Sequence, residues 1–372
     1  MRNFTLLGES LVVLILAKAN SACTPYRLRF LGLISNHVTD KAVRIRSRLM
    51  GGMIGHESDL SISENYWRFA HLEAAGRSPA YQELAEFVAE NTTILQFLGR
   101  LAPAKRQPNL LFAAARYILG EPANPDSLTK LIDERGVDLA AIMYERRTQT
   151  NEAARCAILV PALALIPGPL ALIEVGAAAG LTLLVDFYNY DYHGHVLNGL
   201  DADAPVLTCQ PIGSVPIPGR VPEVGWRVGL DLNPLDPSNP ADVEWLSCLI
   251  WPGEEGRAER LNAVTATARR HPVQICRGDL LDDLAGLAAK VPAGLTLVIY
   301  HTAVLAYVDE AKRRAFAALT RSLGAIWIAN EAPGVVGDTA PSSSSRGFML
   351  VRDGTELLAQ SDPHGNWIEW LA

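Results

Sequence analysis

Five apolar runs in the second half of this sequence, "ALIEVG", "WRVGLDL", "VQICRGD", "LTLVIYH" and "AIWIANE", end on or beside groups that could do chemistry. Gly176 and Gly180 follow the first, with Glu174 inside it. Asp231 and Asn233 close the second, Gly278 and Asp279 the third, His301 the fourth, and Asn330 with Glu331 the fifth. Strands that only pack need no polar ends, whereas parallel sheets bind ligands beyond the carboxyl ends of their strands, where the strand order reverses. Gly176 and Gly180 would let a ligand approach the backbone, and the helix after them would aim its first amides at it. An ionised Asp231 offers two acceptor oxygens for a pair of ribose hydroxyls, and Asp279 an acceptor for an adenine amino group. Glu174, Gly176, Gly180, Asp231 and Asp279 therefore make an expected S-adenosylmethionine site. His301 would act as a general base or orient a substrate, with Asn330 and Glu331 opposite. The plainer alternatives are that Asp231 and Asp279 cap the helices after them, that His301 bonds to the rim of the sheet and that Glu174 has a structural partner.

A second cluster precedes the first run. In "ERRTQTNEAAR", Arg147, Gln149, Asn151, Glu152 and Arg155 fall within three helical turns, and Arg147, Asn151 and Arg155 share a face if the segment is helical. Thr and Asn make a poor helix surface, and two arginines can clamp a carboxylate; Arg147, Gln149 and Asn151 are the expected substrate-binding residues. Other chemistries lack their signatures. There is no G-x-x-x-x-G-K-[ST], no H-E-x-x-H and no G-x-S-x-G. The acid of a dinucleotide site follows its glycines by about 20 residues, while Asp231 lies far beyond Gly180. His193 and His195 stand in a Gly-rich loop, and no metal site is expected.

The elements that must position these groups fall into two parts. From Ser63 to about Ile166 the pattern is helical, with "SENYWRFAHLEAAG", "SPAYQELAEFVAEN", "PNLLFAAARYILG" and a long helix from Asp138 to about Leu165 that Pro161 kinks or splits. After Pro167, apolar runs alternate with helical stretches at Leu181 to Tyr188, Ala241 to Trp251, Glu255 to Arg270, Leu280 to Lys290 and Asp309 to Leu323. That alternation predicts an α/β fold with five parallel strands. Asp353-Gly354 between two alternating runs predicts a terminal hairpin. The order matches the class I methyltransferase-like Rossmann sheet, whose last strand inserts antiparallel. The expected organisation is an extension at 1–50, a helical cap domain at 51–166, and a Rossmann-like domain at 167–372 with an insertion at about 189–224. "PSSSS", Pro341 to Ser345, reads as a flexible loop.

Composition narrows the class. The chain has 372 residues, 49% of them hydrophobic, and a net charge of −7. That suffices for a large core and disfavours a general nucleic-acid or membrane-surface binder. Five cysteines without a C-x-x-C pair suit a reducing compartment, so a cytoplasmic protein acting on a small molecule is expected. The first 50 residues differ: eight Lys/Arg stand against Glu9 and Asp40. "LVVLILA" is too short to span a bilayer. It resembles the core of a signal peptide, but a start codon read too early, with the true one near Met50 or Met53, or a poorly ordered arm is favoured.

"RRTQTNEAARC", "LIEVGAAAGLTLLVDFYNYDY", "VGLDLNPLD", "WLSCLIWP", "YHTAVLAY" and "NEAPGV" together resemble the bacterial family called domain of unknown function 2332, from about Ser63 to the C-terminus. The resemblance implies a methyltransferase-like second half and brings no activity with it. Ala178 and Thr182 stand where that family tends to have Ser and Asn.

Overall fold

The computed structural model describes residues 61–149, 151–337 and 347–372. The extension at 1–50, its signal-like run and the "PSSSS" loop lie outside the described residues. Apolar runs flanked by turn residues form the five parallel strands: β1 (Leu170–Val175), β6 (Val224–Asp231), β7 (Ile275–Arg277), β8 (Thr296–Thr302) and β9 (Ile326–Glu331). They lie in the order β7-β6-β1-β8-β9, so the chain moves one way from β1 and then returns to its other side at β8. Every β1 residue is buried, as a strand covered on both faces requires.

The sheet is larger than the sequence suggests. Among the described residues it has nine strands, adding β5 (Gln210–Ile212), β10 (Phe348–Arg352), β11 (Glu356–Ser361) and β12 (Trp367–Trp370), in the order β5-β12-β11-β10-β9-β8-β1-β6-β7. β10 and β11 form the expected hairpin, turning through Asp353 and Gly354 at φ 52° and 76°. β10, not the last strand, lies antiparallel beside β9, and β12 continues outward as a meander. The insertion supplies a small sheet of β2 (Asn189–Tyr192), β3 (His195–Leu197) and β4 (Val206–Thr208). It also supplies β5, which closes the large sheet beside β12.

Strand alternation divides the sheet into two faces. Ile173, Val175, Val228, Leu230, Ile299, Trp327, Ala329, Met349 and Val351 form one core with Leu284 and Leu287 of α9 (Leu284–Ala288) and Phe316 of α10 (Glu310–Ser322). Glu174, Tyr300, Thr302 and Asn330 belong to the opposite face. Residues 65–372 pack as one unit. The helices before the sheet are α1 (Ile62–Arg68, continued by a π-helix to Ala74), α2 (Pro79–Glu90), α3 (Thr92–Gly99), α4 (Pro108–Leu119), α5 (Pro125–Glu145) and α6 (Cys156–Ala164).

The long helix expected from Asp138 to Leu165 is interrupted. α5 stops at Glu145, residues 146–149, 151 and 152 carry no helix, and α6 starts only after a 3₁₀ turn at Ala153–Arg155. Thr and Asn weaken the helix here, while Lys105 Nζ takes the carbonyls of Tyr144 and Arg146 at 3.0 and 2.9 Å. Arg147, Asn151 and Arg155 therefore share no helical face. Likewise Leu181–Leu184 is a 3₁₀ turn where a helix to Tyr188 was expected. Pro161 sits inside α6 without ending it. α7 (Pro240–Cys248) and α8 (Glu255–Arg270) follow β6.

Gly180 has φ 69°, and a Cβ there would lie 2.7 Å from Val273 Cγ2. Gly180→Ala should lower unfolding free energy by about 2 kcal/mol through backbone strain and overpacking, measured as the urea midpoint. An unchanged midpoint would remove the steric role of this glycine.

Candidate functional site

The turn after β1 is held by the end of β6. The amides of Gly176 and Ala177 both donate to Leu230 O, at 2.8 and 3.3 Å, and Gly180 N donates to Ala177 O at 2.6 Å. Ala178 has φ 49°, a left-handed conformation uncommon for a residue with a side chain. Its amide donates to Asp231 Oδ2 at 2.8 Å, and its carbonyl accepts from Leu235 N at 3.0 Å. A Cβ on Gly176 would lie 2.5 Å from Val304 Cγ2. Glycine is needed here because a protein side chain stands over the backbone.

Asp231 is the centre of the arrangement. It is 8% exposed, and its Oδ1 accepts from Asn233 N at 2.7 Å and from Gln149 Nε2 at 2.9 Å. Gln149 also donates to Asn233 O at 2.8 Å and accepts from Asn233 Nδ2 at 3.2 Å. Two residues on, Asn151 Oδ1 accepts from Leu181 N, the first amide after the glycine turn, at 2.9 Å. Residues 146–149, 151 and 152 thus lie as a strap across the carboxyl ends of β6 and β1. Arg146 Nη1–Asp242 Oδ1 at 2.6 Å and Trp245 Nε1–Arg147 O at 3.0 Å fasten its start. Glu152 anchors its end on Arg257 and Arg260, each at 2.8 Å. Burial opposes ionisation of Glu152, but Arg260 and Arg257 overcome it and hold its carboxyl at about 2.

The expected site residues thus separate. Gly176, Gly180, Asp231, Gln149 and Asn151 come together. Arg147 is exposed and contributes its carbonyl; the neighbouring Arg146 is the buried arginine. Asp279 Oδ1 accepts from Leu281 N at 2.8 Å, so this acid caps its own turn. Glu174 lies beneath the turn, 2% exposed, accepting from the hydroxyls of Thr182 and Tyr300. His301 is fully buried. Trp327 Nε1 donates to its Nε2 at 2.9 Å, and because an indole nitrogen can only donate, the ring hydrogen is on Nδ1 and goes to Glu331 Oε1 at 2.7 Å. That oxygen also accepts the amides of Val304 and Leu305, at 2.7 and 2.9 Å. His301 and Glu331 therefore hold the loop after β8 from the core face. Asn330 lies on the strap face, beside Thr302 in register.

Sequence reasoning missed Arg77, Arg146, Arg257, Arg260 and His364. Arg257 and Arg260 offered a faint signal, an i,i+3 pair in the first turns of a helix. Among the described residues no group of three His, Cys, Asp or Glu side chains could hold a metal ion.

A family model described as "Uncharacterized protein conserved in bacteria (DUF2332)" matches residues 63–370. The chain belongs to this family. No curated protein matches it. The family's span takes in the helices, the strap and the whole large sheet, so the polar bonds around Asp231 lie entirely within it. No helix among the described residues is long and apolar enough to cross a membrane.

Burial pushes the Glu174 carboxyl up to about 8; its hydroxyl donors Thr182 and Tyr300 only partly oppose this, and Asp231 adds to it. Between about pH 4.5 and 8 the unfolded chain ionises this group while the folded chain keeps it protonated. Folding stability should therefore fall as pH rises through that window and level off above it. Glu174→Gln should stabilise the chain by about 2 kcal/mol or more at pH 8 and little at pH 4.5, read from urea unfolding at both pH values. Equal effects at the two would show that the carboxyl does not titrate in this range.

Proposed function

We propose that this protein is an S-adenosylmethionine-dependent methyltransferase acting on a small molecule, on a class I methyltransferase-like Rossmann sheet. The observation that carries this reading is Asp231, a carboxylate ending the strand next to β1, bonded to the glycine turn after β1 at the point where strand order reverses. Residues of the chain stand in for the cofactor's polar groups. Gln149 gives Asp231 the kind of hydrogen bond a ribose hydroxyl would, and Asn151 gives Leu181 N the acceptor oxygen a ligand would. The donor set suits the cofactor; the strap and Val304 compete with it. The cofactor would supply an electrophilic methyl group. The chain's own part is to bind, exclude water and align the nucleophile, the larger share of such a rate. His301, neutral and bonded through both nitrogens, fits a positioning role better than that of a base.

The same strap favours one second reading, a non-catalytic nucleotide- or metabolite-binding module of this fold, because a seat occupied by the protein's own side chains is a natural switch. We place the protein in the cytoplasm, a reading supported by Cys156, Cys209, Cys248 and Cys276 all being free thiols.

Calorimetry with S-adenosylmethionine and S-adenosylhomocysteine tests both. Binding should be seen, and Asp231→Ala should weaken it at least tenfold, about 1.4 kcal/mol. No heat from either compound with folded protein would sink the proposal. Gln149→Ala should act in the opposite sense, tightening binding about three- to tenfold, since it removes a competitor; weaker binding would instead make Gln149 a ligand contact. Methyl transfer to candidate acceptors then separates enzyme from sensor.

A further inference from the structure

Four guanidinium groups meet where the strap, the start of α8 and the β11–β12 turn come together: Arg77, Arg155, Arg257 and Arg260. Two carboxylates pair with them. Glu152 takes Arg257 and Arg260, and Glu254 takes Arg77 Nη2 at 2.7 Å and Arg257 Nη1 at 2.5 Å. Arg155 has neither. It is 4% exposed, and its bonds go to neutral acceptors: Nε to Pro363 O at 2.8 Å, and Nη1 to Thr302 O and Oγ1 at 3.2 and 3.3 Å. The Phe348 ring lies 5.9 Å from its guanidinium carbon. The charges of Glu152 and Glu331 reach it, but their hydrogen bonds go to other groups. Asp362 Oδ1 accepts from His364 N and Asn366 within its own turn, and Glu331 is bonded to His301 on the far face of the sheet. A buried cation with no carboxylate hydrogen-bonded to it is costly.

Oε2 of Glu331, an acceptor whose carboxylate charge reaches Arg155, has no partner among the described residues, and neither have two buried donors near Arg155. One is Nδ2 of Asn330, a residue with no exposed surface; it is the register partner of Thr302, and its Oδ1 accepts from Ser361 Oγ at 3.0 Å. The other is on His364. Its Nε2 is 2.8 Å from Arg77 Nη2, and arginine can only donate, so the ring hydrogen sits on the unpartnered Nδ1. Burial, with Arg257, Arg155 and Arg77 around it, holds this imidazole neutral, its pKa pushed down to about 2. It offers a hydrogen bond without adding a charge.

We propose that Arg155, Asn330, His364 and Arg77 form a seat for an oxyanion, a carboxylate or phosphate, and that the small-molecule substrate is an acid. The seat follows from the unanswered donors alone; its assignment to the substrate rests on the methyltransferase reading. The seat lies at the ends of β8 and β9, away from the glycine turn and Asp231.

Thermal unfolding of the full chain with inorganic phosphate, or with acetate, against chloride at equal ionic strength tests the seat without S-adenosylmethionine. The midpoint should rise saturably with phosphate or acetate and not with chloride. His364→Ala should weaken the apparent affinity at least fivefold. Asn330→Asp places a carboxylate beside Arg155; it should abolish the response while leaving the midpoint without ligand unchanged or higher, an outcome that loss of packing alone does not give. No response beyond chloride in the wild-type chain, or a response kept in both variants, overturns the proposal. Because no cofactor is present, this result is independent of the calorimetry on Asp231.

Discussion

The carboxylate of Asp231 is the tie on which the rest of the arrangement depends. Its two oxygens accept from three segments that are distant in sequence: the turn after β1 through Ala178, the end of β6 through Asn233, and the strap through Gln149. An ionised carboxylate with two oxygens can serve several donors at once, and charge-assisted bonds are the stronger kind. The tie makes a left-handed alanine tolerable at position 178 and fixes the middle of the strap through hydrogen bonds. Hydrogen bonds of that kind can be exchanged for those of a ligand at little net cost.

Charge on the strap face is ordered by the same logic. Glu152 is ionised because two arginines flank it, and Glu174 stays protonated near neutral pH because burial outweighs its hydroxyl donors and the charge of Arg155. The bidentate Asp186–Arg227 pair, with bonds of 2.5 and 2.6 Å, satisfies a further buried acid under β1 and β6. Glu152 and Asp186 are paired with arginines, whereas Asp231 and Glu331 accept from neutral donors. Arg155, bonded only to neutral acceptors, is their counterpart of the opposite sign.

Much of the sheet was legible in the sequence because buried parallel strands are continuous apolar runs with polar residues at their carboxyl ends. The acid after the second run and the glycines after the first did come together. Three things were not legible. The strap was read as helix because Arg147, Asn151 and Arg155 have helical spacing, and spacing cannot reveal that Lys105, Asp242 and Trp245 compete for the segment. His301 and Glu331 have the composition of a catalytic pair, and only the tertiary position of Trp327 shows that they are a buried brace. β5 and β12 were missed because three- and four-residue strands such as "QPI" and "WIEW" carry no usable period.

The outermost pairing, β5 with β12, also bears on how the chain assembles. Gln210–Ile212 must wait for Trp367–Trp370, about 155 residues later, before that edge exists. Contacts of such long sequence separation form slowly and leave the growing sheet open to neighbours in the meantime. The finished edges are poor templates. β7 and β5 are each three residues long, and Pro211 lacks the amide hydrogen that an incoming strand would need. The vulnerability to aggregation therefore belongs to the nascent chain and ends when β12 has been made and docked.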